Sequence, residues 1–371
     1  DDSPVVIIDS GSGICKAGLS TSRTPTHVFA DVVGRPRARW QSSFETDVFC
    51  GDDVGPHRSK LAFCNPVQNG IIENFDDMQR LWDHTFSLLG VNASDHPVLL
   101  TEPPYNPRPN RERMVEMMFE YYLVPSLNVS IQGVLALFGH GRSTGLVLDS
   151  GEGVTHTIPI YEGFGLTPSI QRLDLGGRDL NTLLAKLLAK EGLSLTTTEA
   201  QHHVRVMKEK HCYCALDPTL EYAEPVQYVL PDGREVTLED ERWKCPEALF
   251  NPSMGGMESL GVAGLVWESV SKCDIHTRRS LLSNVVLSGG STMFRGFAER
   301  LTSDLRDRAP TAAQADIKIV PPQDRQDFAV WNGAQVFAEL RHIQPGQWMT
   351  CEDYDEFGAS YIHDKISVKF S

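Results

Sequence analysis

The sequence predicts an α/β protein built of two related halves. Three observations carry that prediction. Apolar strand-like runs alternate with amphipathic helical runs along the chain. An apolar run ending in Asp-Ser-Gly-X-Gly occurs twice, as Ile7-Ile8-Asp9-Ser10-Gly11-Ser12-Gly13 and as Val147-Leu148-Asp149-Ser150-Gly151-Glu152-Gly153. The chain has 371 residues, more than one compact core usually organises.

In the first half, DDMQRLWDHTFSLL (76–89) sets Met78, Leu81, Trp82, Thr85, Phe86 and Leu89 on one helical face, with the Asp pair expected to cap it. HPVLLTEPP reads as a buried strand stopped by prolines, and NRERMVEMMFEYYL as a second amphipathic helix capped by Asn110. The second half repeats the habit. A strand over 146–149 and a strand-like THTIPIYEG precede LNTLLAKLLAKEG, with Asp179 as its cap and Gly192 as its stop. Residues 198–216 read as one long helix, and VQYVLPDGREVTL as a hairpin turning at Asp232-Gly233. Helical patterns over 260–272 and 276–282 then lead into NVVLSGGSTMFRGFAERLTSDL, a strand, a Gly-Gly turn and a helix. With no Ser/Gly linker between the halves, the boundary near 139–144 is expected to be a hinge within a compact body.

Composition narrows the function classes. The chain is 41% apolar without low-complexity tracts, so it folds. A formal net charge of −15 repels phosphate backbones and argues against direct nucleic-acid binding. Apolar runs stop short of the ~18 residues of a membrane span, and nothing resembling a signal peptide precedes Val5. A soluble protein with protein or small-molecule partners, and no membrane partner, is expected. The eight cysteines show no metal-ligand spacing and are expected to be reduced and mostly buried. Cys212 and Cys214, two apart on the expected helix, would point away from each other.

A strand that runs into Asp-Ser-Gly-X-Gly and turns back can aim successive backbone N–H groups at phosphate oxygens, because the glycines admit conformations a side chain forbids. Ser10 and Ser12 add hydroxyls and Lys16 a cation, which suits a β- or γ-phosphate. The strand-end carboxylates repel phosphate unless a cation lies between them, so Asp9 and Asp149 imply Mg²⁺ held mainly through water. A single such turn reads equally as an ordinary hairpin; the second copy favours a polyphosphate clamp. No Walker loop and no dinucleotide-binding Gly-x-Gly-x-x-Gly run after a first strand is present.

The residues resemble the actin family from end to end. GSGICKAG, FDDMQRLWDHTF, LLTEPPYNP, NRERMVEMMFE, GRSTGLVLDSGEGVTHTIPIYEG, RLDLGGRDL, VMKEKHCYCALD, KCDIHTRRSLLSNVVLSGGSTMF and DYDEFGAS carry the likeness in order. The resemblance implies the duplicated fold shared by actins, heat-shock chaperones and sugar kinases: two lobes with a central cleft for ATP or ADP and Mg²⁺ or Ca²⁺. The lobes would be 1–139, with 31–69 as a small inserted subdomain and 335–371 packing back, and 140–334, with about 178–262 as its smaller subdomain. By position, Ser10, Gly11, Ser12, Gly13 and Lys16 would meet the phosphates from one half, and Gly151, Glu152, Gly153 and Val154 from the other. Asp9 and Asp149 would organise the metal's waters. Arg205, Lys208, Glu209, Gly289, Gly290, Met293 and Phe294 would surround the nucleoside. Gln132 and His156 match the pair that positions hydrolytic water, beside Asp149. Without the family match, Gln132 reads as a helix N-terminal residue and His156 as a packed strand histidine.

Departures from the family pattern are informative. Glu152 stands for an aspartate, which is expected to alter hydrolysis, and Ser10 stands for an asparagine. Phe294 replaces a tyrosine, Asn69 replaces a histidine, and QDRQDFAVWNG offers no clear equivalent of a usual lysine. The self-contact loops depart further. Residues 38–50 (ARWQSSFETDVFC) are shorter than usual, Met254-Gly255-Gly256-Met257 lacks bulky anchors, 217–228 is shortened and the C-terminus ends in HDKISVKFS. The expected function is therefore an ATP-binding cytoplasmic, cytoskeletal protein with at most slow ATP hydrolysis and weakened self-polymerisation. Its partners would be other actin-family or cytoskeletal proteins, and possibly itself. The alternatives are a non-filament subunit of a larger complex or, on the same fold, a small-molecule kinase or a chaperone-type ATPase. The chain ends soon after the last family motif, leaving no room for a chaperone's substrate-binding region, and no acceptor-site signature marks a kinase.

Overall fold

The computed structural model describes residues 3–190, 193, 195, 197–322, 328–343 and 345–365. The expected stop at Gly192, the QDRQD segment (323–327) and the final residues 366–371 lie outside the described residues. The chain forms two compact units. One holds Asp1–Val147, Ile160–Thr167 and Gln326–Ser371; the other holds Leu148–Pro159 and Pro168–Arg325.

The first unit is built on a six-stranded sheet in the order Met349–Thr350, Ser126–Ile131, Val98–Glu102, Val6–Ser10, Ile14–Leu19, His27–Ala30. Val6–Ser10 and Ile14–Leu19 form an antiparallel hairpin, with Asp9 opposite Lys16 and Ser10 opposite Cys15. On its other side Val6–Ser10 runs parallel to Val98–Glu102, which runs parallel to Ser126–Ile131. Val6–Ser10 and Val98–Glu102 open on apolar runs, as strands covered on both faces require, whereas Ser126–Ile131 alternates polar and apolar residues; Val6, Ile8, Val98, Leu100, Leu127 and Val129 sit in one core.

Helix Phe75–Leu89 closes that core with Met78, Leu81, Trp82 and Phe86. Its cap is Asn74, whose side chain accepts from the Asp77 amide at 3.0 Å, and not the expected Asp pair. Asn74 has the extended backbone a cap needs, which leaves Asp76 and Asp77 in the first turn, where the helix dipole favours carboxylates. Asp77 is occupied instead by Arg35 and by the Cys64 thiol. The next helix, Arg108–Glu116, starts before Asn110 because Pro107 and Pro109 preset the first-turn backbone. Asn110 is therefore no cap, and its amide donates to the Ile72 carbonyl at 2.6 Å. The segment 31–69 carries a three-stranded sheet, Phe49–Cys50, Val33–Pro36, Leu61–Cys64, over its own apolar cluster of Val32, Val54, Leu61, Phe44 and Phe49.

The second sheet runs Phe164–Gly165, Thr155–Tyr161, Gly145–Ser150, Val285–Ser288, Ile319–Val320, with Gln171–Leu173 also paired to Thr155–Tyr161. Its last two strands are parallel. The plan repeats that of the first sheet: an Asp-Ser-Gly hairpin whose first strand neighbours one member of a parallel pair. The sequence repeat is thus a repeat of topology.

Three boundaries in the second unit differ from expectation. Helix Gly177–Lys190 begins ahead of Asp179, which lies in the first turn and accepts from the Gly176 amide at 2.9 Å. Helix Thr198–His211 stops at Cys212, whose backbone is extended, and not at Leu216. Tyr213 bridges to Arg295, and the Cys214 amide bonds the Arg295 carbonyl at 2.8 Å, so strand-like pairing overrides the helical pattern there. The Val226–Val229 and Glu235–Leu238 hairpin turns as read, with Gly233 at φ +83°. Helices Val262–Lys272 and Ile275–Leu282 and the strand Val285–Ser288 fall within a residue or two of their predicted spans. All eight cysteines are free thiols, five of them buried. Among the described residues no helix is long and apolar enough to cross a membrane.

Candidate functional site

The two repeated turns have the same internal hydrogen bonds. The Gly11 amide donates to the Ile14 carbonyl at 3.0 Å, and the Gly151 amide donates to the Val154 carbonyl at 3.0 Å. Just before each turn the serine reaches across its hairpin to the corresponding partner, Ser10 Oγ to Cys15 Sγ at 3.8 Å and Ser150 Oγ to Thr155 Oγ1 at 2.7 Å. Each turn is therefore a tight hairpin, and in both the aspartate is the next-to-last residue of the incoming strand.

In the first unit Asp9 is the hub. Its Oδ1 accepts from Thr101 Oγ1 at 2.7 Å and from Gln132 Nε2 at 3.0 Å, while Lys16 Nζ stands 3.8 Å from Oδ2. Gln132 opens helix Gln132–Gly139, and its amide also reaches Thr101 Oγ1 at 3.2 Å. Ser12 is buried, and its hydroxyl accepts from the Gly70 amide at 2.8 Å, which ties the turn to the loop holding Asn69. Asn69 itself has φ +49°, a conformation asparagine tolerates better than most residues. Gly11 and Gly13 lie in the half-buried turn, and the Gly13 carbonyl accepts from the Asp31 amide at 3.1 Å.

In the second unit the turn at Gly151 is braced from two directions. The amides of Gly177 and Arg178 bond the carbonyls of Gly151 and Glu152 at 2.9 and 2.8 Å. From the other direction Ser291 Oγ donates to the Gly151 carbonyl at 3.1 Å. Gly289 packs so closely that a methyl group on it would overlap the Ser150 carbonyl and stand 2.9 Å from Asp149 Oδ1. The Glu152 carboxylate turns back over Gly177, where Lys208, a buried cation, donates to the Gly177 carbonyl at 2.8 Å. Arg205 pairs with Glu209 at 2.7 Å one turn along the same helix. Gly290 to Met293 form a short 3-10 turn that ends at Phe294. Gly153 and Val154 are buried in the hairpin.

His156 is buried in strand Thr155–Tyr161, opposite Arg172. Burial, with Arg172 nearby, pushes its pKa down to about 3, so the ring is neutral at ordinary pH. Its Nε2 has no hydrogen-bond partner. A neutral imidazole with an uncommitted nitrogen can accept from or donate to a water, according to its tautomer.

The structure thus gathers Asp9, Ser12, Lys16 and Gln132 in one unit, and Asp149, Gly151, Glu152, Lys208 and Gly289 in the other. Sequence reasoning missed Thr101, which anchors Asp9, and Asp31. Asp31 is fully buried with neither carboxylate oxygen partnered, and burial, with Asp9 nearby, pushes its pKa up to about 8. Its signal was an acid inside an apolar run, Val28-Phe29-Ala30-Asp31-Val32-Val33. Among the described residues no three His, Cys, Asp or Glu side chains converge to cage a metal by themselves. A strand-end aspartate acting through water, next to a phosphate-bearing ligand, needs no such cage. The family model described as Actin matches residues 1–367 of the chain, and the chain therefore belongs to the actin family.

Proposed function

We propose that this protein is an ATP-binding, actin-like cytoskeletal subunit of the cytoplasm that works in a filament or a larger assembly. Actin-family proteins generally bind ATP or ADP with a divalent cation. The observation that carries the reading is the doubled hairpin, with the same Gly-amide bond and an aspartate at the same place in each copy. In this reading each turn serves nucleotide phosphates. Ser10, Gly11, Ser12, Gly13 and Lys16 present groups from one unit; Gly151, Glu152, Gly153 and Val154 present them from the other. Arg205, Lys208, Glu209, Gly289, Gly290, Met293 and Phe294 hold the nucleoside.

The residues present fit such a ligand. Lys16 supplies a cation 3.8 Å from Asp9, and the partnerless Nε2 of His156 is an orphaned polar atom of the kind that orients water. When bound, Mg²⁺ (or Ca²⁺) supplies positive charge between the phosphates and the aspartates. The chain's own part is to hold Asp9 by Thr101 and Gln132, and to offer Gln132, His156 and Asp149 for positioning water. Turnover is slow in this reading, because no side chain acts as a nucleophile and Glu152 is drawn toward Gly177 and Lys208.

Millimolar Mg-ATP is expected to raise the melting temperature by several degrees, since a ligand at 100 to 1,000 times its Kd adds about 3 to 4 kcal/mol. An unchanged melting temperature and no calorimetric heat would refute the site.

The non-filament alternative rests on its own observation. Residues 38–50 hold the 3-10 turn Ala38–Ser43, and Phe44 and Phe49 pack edge-on or tilted against each other and against His57, which turns these two rings toward their own segment. Met254 is the exposed apolar residue of the short turn Pro252–Gly255. Sedimentation of the pure protein with Mg-ATP and salt is therefore expected to leave it in the supernatant at low micromolar concentration. Abundant long filaments would show that self-contacts survive and would favour the filament reading.

A further inference from the structure

The segment Ala215 to Glu224 presents an apolar surface by construction. Ala215 and Ala223 are buried against Trp243. The Ala215 carbonyl accepts from Arg300 Nη1 at 2.8 Å, and the Glu224 carbonyl accepts from Arg242 Nη1 at 2.7 Å, which pins both ends. Between them Tyr213 Oη donates to Glu221 at 2.7 Å, and the Ala223 amide bonds Asp240 at 3.3 Å. Glu221 and Ala223 are thus committed inward. Leu220 and Tyr222, which alternate with them, stand 83% and 75% exposed.

This inverts the usual assignment, in which the carboxylate faces water and the leucine faces the core. The exposure is not slack, because the backbone on either side is hydrogen-bonded and buried. Rigid, exposed aromatic and aliphatic side chains are what an interface anchor requires, since little entropy is lost when they are covered. The stretch of chain that carries Leu220 and Tyr222 is rich in carboxylates. From Leu216 to Asp240 the sequence holds seven aspartates and glutamates against one basic residue, Arg234, while Arg242, Arg295 and Arg300 reach this segment from outside that stretch, at the Glu224 carbonyl, the Tyr213 ring and the Ala215 carbonyl, and Lys244 pairs with Asp240.

We propose that Leu220 and Tyr222 are the anchors of a docking surface for a basic amphipathic segment of a partner protein. Apolar residues of that segment cover the two side chains, and its lysines or arginines face the surrounding carboxylates, including Glu224 and Glu235. Charge complementarity selects this occupant over a second copy of the chain, which carries a net charge of −15 and the same acidic face.

The test uses a fluorescent lysine–leucine amphipathic helical peptide and a scrambled peptide of the same composition, titrated into the full chain at physiological salt. The amphipathic peptide is expected to bind, and the scrambled one to bind at least about tenfold more weakly. The double variant Leu220→Ser, Tyr222→Ser is expected to lose about tenfold or more in affinity for the amphipathic peptide at an unchanged melting temperature, because both side chains are exposed. Glu224→Lys is expected to weaken binding and flatten its salt dependence. Equal binding of the two peptides, or of wild type and double variant, would mean attraction to net charge alone and would overturn the proposal. Self-association of the wild type that the double variant abolishes would assign the surface to a second copy, and would overturn it as well.

Discussion

Gly289→Ala is expected to destabilise the protein by about 3 kcal/mol or more, and to weaken Mg-ATP binding at least about tenfold. Gly289 has φ +87° and ψ 146°, a backbone conformation open essentially to glycine alone. An added methyl would also overlap the Ser150 carbonyl and crowd Asp149 Oδ1 at 2.9 Å. Relief requires the third turn to move away from the second. That movement strains the bond from Ser291 Oγ to the Gly151 carbonyl and displaces Asp149 from its place at the end of its strand. Gly290→Ala is the control. A methyl there meets nothing within 4 Å, and its φ is not positive, so its melting temperature is expected to match wild type. Thermal denaturation of both variants, with titration of a fluorescent ATP analogue into each, checks the pair. A Gly289→Ala protein with wild-type melting temperature and affinity would remove the close packing of the two turns from the account.

The contrast between those adjacent glycines marks what a sequence can and cannot carry. Gly289-Gly290 is legible as a turn, and so are both Asp-Ser-Gly hairpins, because glycine after an apolar run is a local signal. The resemblance extended this to the residues of the two turns. Which glycine is indispensable was not legible, since the carbonyl that forbids a side chain belongs to Ser150, far away in the chain. The same reason explains the misplaced caps. Asn74 and the Asp pair compete for one role, and Asn74 takes it because its backbone is extended, which leaves Asp77 in the first turn, bonded by Arg35 and Cys64. The helix predicted to reach Leu216 ends at Cys212 because Arg295 offers Tyr213 and Cys214 a pairing edge. Thr101 looked like the end of an apolar strand, and only parallel pairing of that strand with Val6–Ser10 brings its hydroxyl to Asp9.

Asp31→Asn is expected to remove a loss of stability that the wild type suffers as pH rises from about 4 to about 8. The Asp31 carboxyl is fully buried with both oxygens unpartnered, and burial first, then the nearby Asp9 charge, raise its pKa to about 8 from an ordinary 3.8. Between those two values the folded chain keeps a proton that the unfolded chain has released. Stability therefore falls as pH rises across that window, and levels off above about pH 8, where both states are ionised. A gap of about four pH units sets a ceiling of about 6 kcal/mol on the loss, at about 1.36 kcal/mol for each unit. Asparagine keeps the shape and cannot ionise. At pH 8.5 the variant is expected to be more stable than wild type by about 2 to 5 kcal/mol, whereas below pH 4 the two should differ by no more than about 1 kcal/mol. Urea unfolding of the nucleotide-free proteins at pH 4, 6 and 8.5 reads this directly. Parallel stability curves across that range would show that Asp31 is ionised in the folded chain and has found a partner. A widening gap in favour of asparagine would show that the first turn is built over a neutral acid. The cost of that acid is then a stability the chain gives up at every pH above 4.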